Sequence, residues 1–174
     1  MSQGDCRPVK EDFTIRNVLA NDAEAIVAIY NHYVTRTRVT FEETAVSLSE
    51  MERRIAESRA AELPWLVAER KHTLVGYAYL KRWRPRHAYR FSCESTIYVA
   101  PALGQQGIGS ALYRDLLDAA QARGIHSVIG GIALPNEPSV RLHEKLGFEK
   151  AAHFKQVGFK FDRWIDVGYW QKRL

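Results

Sequence analysis

Apolar and polar positions along the chain sort into short alternating runs and stretches of helical spacing, with no internal repeat, linker or low-complexity segment between them. Residues 13–18 alternate as a strand. Asn21-Asp22-Ala23-Glu24 then offers a helix cap followed by an acid, and Ala25, Ile26, Ile29, Tyr30 and Tyr33 recur along one helical face. Ser49-Glu50-Met51-Glu52 repeats the capping pattern before a second helix that reaches Ala61, and Pro64 closes that region. Residues 65–69, 74–80 and 91–99 read as successive strands, close enough in sequence to form an antiparallel meander. A glycine-rich turn leads into a helix over 107–123, a strand over 127–133, a short helix over 137–146 and aromatic strands through the C-terminus. The order βα(α)βββαβαββ joins a meander to βαβ crossovers, which predicts an α/β fold: a central mixed β-sheet, parallel at its centre, flanked by helices.

Length and composition narrow the class. At 174 residues, 46 % hydrophobic and 26 % charged, the chain has room for one domain over 13–174 behind a polar leader over 1–12. No apolar run is long enough to span a bilayer and the leader carries no signal-peptide core, so the expectation is a cytoplasmic protein without a membrane partner. Two cysteines, Cys6 and Cys93, are too few for a disulfide scaffold and read as thiols. The six histidines show no metal-ligand spacing, so no metal is expected. A net charge of +5 leaves open a polyanion or a local anionic site. Its densest contribution is Lys81-Arg82-Trp83-Arg84-Pro85-Arg86-His87-Ala88-Tyr89-Arg90, which can be a solvated hairpin connection, a substrate-facing loop or, with its interleaved aromatics, a nucleic-acid contact.

Chemistry concentrates where residues 94–99 run into the next helix. Gly107 and Gly109 at a helix start leave backbone N–H groups open at the positive end of a dipole, a place for phosphate, although a glycine-rich turn can also do no more than begin a helix. A Walker loop would need lysine where Gly109-Ser110-Ala111 has none, and a dinucleotide fingerprint would need a small residue where Leu112 stands. Neither reading survives.

The turn resembles the acetyl-coenzyme A loop of the GNAT superfamily of N-acetyltransferases, Arg/Gln-x-x-Gly-x-Gly/Ala, with Gly104 in place of the leading Arg/Gln. Asn136-Glu137-Pro138-Ser139-Val140-Arg141-Leu142-His143-Glu144-Lys145-Leu146-Gly147-Phe148 resembles a second motif of the superfamily, Asn-x-x-Ala-x-x-Leu-Tyr-x-x-x-Gly-Phe. Within the superfamily the chain is most similar to the phosphinothricin and methionine sulfoximine acetyltransferases, on Ile29-Tyr30-Asn31, Glu94 to Val99, Leu134 to Glu144 and Gln156 to Trp164, a likeness covering residues 13–172. It implies an acetyl-CoA site at the backbone of Val99, Ala100 and Pro101, the amides of Gly107, Ile108, Gly109, Ser110, Ala111 and Leu112, and Asn136. It places a small amino acid acceptor near Tyr30, Arg86, His87, Ala88, Thr96, Ile97 and Tyr98, and it implies a homodimer with no nucleic-acid partner. An anionic group on such an acceptor would suit arginine forks.

Acetyl transfer needs a neutral amine, so a base must take the proton of an ammonium that predominates at neutral pH. Glu94 is the candidate. It shares strand parity with Thr96 and Tyr98, facing away from Ser95, Ile97 and Val99, though a solvated strand carboxylate is the plainer alternative. His143 stands where many superfamily members carry tyrosine, and would protonate or orient the leaving thiolate unless it makes an ordinary helix-face hydrogen bond. Carbonyl polarisation would come from the Val99 N–H at the splayed end of its strand. Tyr30 divides between core and substrate contact, and the C-terminal aromatics Phe154, Phe159, Phe161, Trp164, Tyr169 and Trp170 between sheet core and dimer surface. The expected activity is direct acetyl transfer in a ternary complex to the α-amine of a phosphinothricin, methionine sulfoximine or methionine sulfone type of acceptor. The alternatives are another amine (peptide N-terminus, polyamine or aminoglycoside) and a basic nucleic-acid-binding module.

Overall fold

The structure, a computed structural model, describes residues 12–104 and 106–174. Seven strands form one mixed sheet in the order β1-β2-β3-β4-β5-β7-β6. β1 (Thr14–Asn17), β2 (Trp65–Arg70), β3 (Thr73–Arg82) and β4 (Ser92–Val99) are an antiparallel meander, as the strand pattern predicts. β5 (Ser127–Leu134) follows a crossover and pairs parallel with β4, while β7 (Arg163–Arg173) and β6 (Glu149–Lys160) close the far edge antiparallel. Two helices, α1 (Ala23–Arg36) and α2 (Leu48–Ala60), cover one face over Ile26, Tyr30, Val34, Met51, Ile55, Trp65 and Tyr77. α3 (Ile108–Gln121) covers the other, burying Leu112, Tyr113 and Leu116 on Ala78, Leu80, Cys93 and Val128, with α4 (Glu137–Lys145) beside it.

Both predicted caps shift. α2 is capped by Ser47, whose hydroxyl accepts from the Glu50 N–H at 3.2 Å, because Ser47 alone precedes the helix in an extended conformation. At α1 the Asp22 carboxylate turns back to accept from the Leu19 N–H at 2.7 Å and pairs with Arg16, so Asn21 caps nothing through its side chain. Cys93 is a fully buried thiol, pushed up to about 11 by its apolar surroundings, whereas Cys6 and nearly all of the 1–12 leader lie outside the described residues. Of the C-terminal aromatics, Trp170 is core, but Phe154, Phe159, Phe161 and Trp164 stand exposed on the β6–β7 hairpin. No helix among the described residues is long and apolar enough to cross a membrane.

Candidate active site

The sheet opens at its centre. β4 and β5 pair only from Ser92↔Ser127 to Ser95↔Gly130, although β4 continues to Val99 and β5 to Leu134. Beyond that point β5 stays with β7 through Leu134↔Asp166, and β4 stays with β3 through Gly76↔Val99. The two half-sheets therefore diverge as a fork. The Ala100 N–H donates to the Val75 carbonyl on β3, so by strand alternation the N–H groups of Val99 and Ile97 face the gap. Tyr33 on α1 pins the end of the splayed strand, its hydroxyl donating to the Val99 carbonyl at 2.6 Å.

A cleft of about 1710 Å³ follows this fork. Glu94, Thr96, Ile97, Tyr98, Val99, Gly107, Ile108, Gly109, Ser110, Asn136, His143 and Tyr30 all line it, so the structure gathers most of the predicted site residues. At one end α3 begins behind Gly107, whose φ of +82° is a left-handed conformation open to glycine at little cost. Ile108, Gly109 and Ser110 are the first turn and have no helical acceptor for their N–H groups, which makes a nest for an anion at the positive end of the helix. Of the other amides expected there, the Ala111 N–H donates to the Gly107 carbonyl at 3.0 Å, and Leu112 is buried within the helix. Ala100 and Pro101 are likewise not among the residues lining the cleft, the amide of Ala100 being spent on β3 and Pro101 having none. Gly104, which replaces the expected Arg/Gln, faces open space, and the polar side chain beside the turn is instead Gln106, whose Oε1 accepts from Arg70 at 2.7 Å. Asn136 caps α4 by accepting from the Ser139 N–H at 3.3 Å, leaving its amide nitrogen as a donor toward the cleft.

At the other end Glu94 presents its carboxylate from the β4 face it shares with Thr96 and Tyr98. Its cross-strand partner is Lys81 on β3, with Nζ 3.1 Å from Oε2. Tyr98 packs among Tyr30, Tyr33 and Tyr77 at ring separations of 5.2, 4.9 and 5.7 Å, and burial holds its phenol far above the usual range. Tyr30 is mostly core, yet its hydroxyl reaches the loop after α1, bonding Thr40 at 2.9 Å and donating to Glu42 at 3.0 Å; desolvation pushes it up to about 12. That loop is fixed from β6 by Lys160, fully buried, whose Nζ donates to the Val34 and Thr40 carbonyls at 2.6 and 2.9 Å. Arg86, His87 and Ala88 are exposed in the β3–β4 connection and do not line the cleft, because the connection leaves the sheet beyond the paired ends of its strands.

His143 lies at the closed end of the fork, buried, with both ring nitrogens engaged. Nδ1 donates to the Ser139 carbonyl at 2.8 Å, so Nε2 accepts from the Tyr113 hydroxyl at 3.0 Å, and Tyr113 meets the Ser95 hydroxyl at 2.5 Å. Burial lowers the imidazole pKa below its ordinary value, with the Ser139 carbonyl opposing, so the ring is neutral at neutral pH. Of the two readings open for this residue the hydrogen bonds favour the helix-face one: the ring carries its proton on the nitrogen turned to the Ser139 carbonyl of its own helix. Ser95 and Gly130 are the last parallel pair of the sheet, and a Cβ on Gly130 would stand 2.3 Å from His143 Nε2. The network thus occupies the fork point itself.

Residues 15–168 match the acetyltransferase (GNAT) domain. The chain belongs to the GNAT acetyltransferase family. A phosphinothricin N-acetyltransferase of Streptomyces viridochromogenes is 39 % identical over 95 % of this chain and 90 % of its own. A methionine sulfoximine/methionine sulfone acetyltransferase of Salmonella typhimurium is 37 % identical over 92 % of this chain and 94 % of its own. A phosphinothricin acetyltransferase of Sinorhizobium meliloti, solved with acetyl-CoA, superposes with a TM-score of 0.91 at 36 % identity, covering 94 % of this chain and 89 % of that one. This acetyltransferase is accordingly an acetyl-CoA-dependent N-acetyltransferase. Among the described residues no cluster of three or more His, Cys, Asp or Glu could hold a metal.

Sequence reasoning passed over Tyr33, Thr40, Lys81, Tyr113 and Gly130. Tyr33 had a signal, its helical register beside Tyr30, while the pairing of Tyr113 with His143 spans 30 positions and leaves no local trace.

Proposed function

We propose that the acetyltransferase transfers acetyl from acetyl-CoA to the α-amine of a small amino acid analogue of the phosphinothricin, methionine sulfoximine or methionine sulfone type, by direct attack in a ternary complex. The observation that carries this reading is the Glu94 carboxylate opening into the same cleft as the splayed edge of β4 and the amide nest of α3. Pyrophosphate at Ile108–Ser110 and the Asn136 amide would run the cofactor along the gap, bringing its thioester carbonyl to the Val99 N–H. The acceptor would lie against Thr96, Ile97 and Tyr98, with Tyr30 behind them. Glu94 takes the ammonium proton directly or through one water, the amine attacks the carbonyl carbon, and the C–S bond breaks to release CoA thiolate; the second proton, lost from the nitrogen as the amide forms, passes to solvent, which protonates the thiolate in turn. His143, neutral and held on both nitrogens, is a positioning residue that fixes α4 against the fork.

The reading extends to a single acetyltransferase domain over 13–174 acting as a homodimer. Phe154, Phe159, Phe161 and Trp164, between 49 % and 62 % exposed on one hairpin, form an apolar surface suited to a second copy. The test is a thiol-release assay with acetyl-CoA against amino acid analogues, polyamines, an aminoglycoside and peptides, run on wild type and Glu94→Gln. Expected are turnover confined to the amino acid analogues and a kcat loss of roughly 10²–10⁴-fold in the variant with acetyl-CoA affinity retained. Turnover of polyamines alone would overturn the acceptor, and full activity of the variant across pH would remove Glu94 from the base role.

A further inference from the structure

We infer that Lys81 is the specificity residue that reads the acceptor's acid group, so that the Lys81–Glu94 pair recognises the zwitterionic head of an α-amino acid. The inference rests on the proposed role of this half of the cleft. Lys81 and Glu94 face each other across β3 and β4 in direct register, Nζ to Oε2 at 3.1 Å, and both line the cleft. A cation and an anion held side by side at that spacing complement a ligand whose own ammonium and carboxylate are separated by one tetrahedral carbon. The ligand's ammonium meets Glu94 and its carboxylate meets Lys81.

The two side chains have the exposure such an exchange needs. Glu94 is 24 % exposed and Lys81 56 %, so the ammonium group, with three donors and one spent on Glu94, has donors left for the incoming acid. Other cations at this end are less suited. Arg82 follows Lys81 on β3 and, registered opposite Cys93, points to the other face of the sheet from Glu94. Arg53 and Arg54 line the same end but are already bound to Glu50, and Arg54 also to Glu42. Arg86, in the densest basic run, lies outside the cleft.

Charge balance gives the pair a second use. In the empty cleft Lys81 and Glu94 neutralise each other, and when an α-amino acid enters, each exchanges one partner for another of the same sign. No charge is stripped of water without a counter-ion. An amine with no acid group would leave Lys81 competing for Glu94, and an amino acid amide would offer Lys81 only a neutral acceptor. The head of a peptide is disfavoured on the same ground, its carboxylate having become an amide.

The experiment compares L-methionine sulfone with its carboxamide as acceptors for wild type, Lys81→Met and Lys81→Arg, with acetyl-CoA binding by calorimetry as the control for folding. Wild type should favour the acid. Lys81→Met should raise KM for the acid by about 10–100-fold, the loss of one charge-assisted hydrogen bond, and leave KM for the carboxamide the same or lower, since Lys81 no longer competes for Glu94; Lys81→Arg should restore most of the preference. Acid preference undiminished in Lys81→Met, or an equal rise for both acceptors, overturns the role of Lys81 while leaving the proposed function standing. Failure of wild type to acetylate the acid at all, with acetyl-CoA bound, overturns both.

Discussion

Gly130→Ala tests the fork point most directly, because the only atom it adds has nowhere to go. The new Cβ would stand 2.3 Å from His143 Nε2 and 2.6 Å from Cδ2, with the Tyr113 hydroxyl at 3.4 Å. Restoring an ordinary separation of about 3.5 Å requires the ring to retreat by roughly 1 Å. His143 is 4 % exposed, hydrogen-bonded at 2.8 Å on one nitrogen and 3.0 Å on the other, and packed edge-on against Phe148, so it cannot swing into solvent. Overpacking of this kind costs about 1–3 kcal/mol. Stretching the Tyr113 bond adds about 1 kcal/mol, since Ser95 remains as a partner for the hydroxyl. Alanine in a strand returns about 0.5–1 kcal/mol, leaving a net loss of about 1–3 kcal/mol, or a Tm lowered by roughly 3–10 °C for a chain of this size. Differential scanning calorimetry measures it, with Gly104→Ala as the control: nothing lies within 4 Å of a Cβ there, and its Tm should stay within about 1 °C of wild type. A Gly130→Ala protein as stable as Gly104→Ala would refute the claim that the His143 ring is fixed against the last parallel pair.

Three further outcomes follow from the same geometry. His143 has a folded pKa below 6.5, so below that pH the unfolded chain binds a proton that the folded one refuses; stability falls as pH drops from about 6.5 toward the folded value, and His143→Gln should flatten that slope in denaturant titrations. Gly107→Ala forces a side chain into a φ of +82°, a strain of roughly 1–2 kcal/mol, and should lower Tm by roughly 2–8 °C in calorimetry. Lys160→Met removes the donor shared by the Val34 and Thr40 carbonyls; Tm should fall, and KM for the acceptor should rise while acetyl-CoA affinity holds, because the loosened loop carries Thr40 and Glu42 on the acceptor side.

The elements of the fold were legible because each is written in local pattern: alternation in β1, short apolar runs between turn residues in β2 and β3, a helical stripe in α1 and α3, and glycine where α3 begins. The backbone nest at the start of α3 was legible for the same reason, since it needs only a turn and a helix start. The other end was legible in part: Glu94, Thr96, Ile97 and Tyr98 line the cleft, but charge density along Lys81–Arg90 could not tell which member faces it, because most of that run lies in a connection without register, whereas Lys81 is still inside β3 and is held opposite Glu94 by the ladder. Ser47 displaced Ser49 as a cap because extended backbone, not residue type, decides between neighbouring serines.

His143 shows why a motif position can be legible while the choice between two roles for it is not. The residue is where the helix pattern placed it, and its ring does face the fork, but Tyr113 and Ser95 arrive from α3 and β4 to occupy it. Those contacts tie together the three elements whose relative placement sets the gap: β4 through Ser95, α3 through Tyr113, and α4 through His143, with Gly130 on β5 yielding the space. Where β4 leaves β5, each would otherwise present unpaired N–H and C=O groups with no reason to stop at Ser95↔Gly130. A buried, fully bonded side-chain network at that pair gives the separation a fixed origin. The cleft is then a consequence of where sheet pairing ends, and the proposed acetyl-transfer site inherits its position from a tyrosine and a histidine that need not touch either substrate.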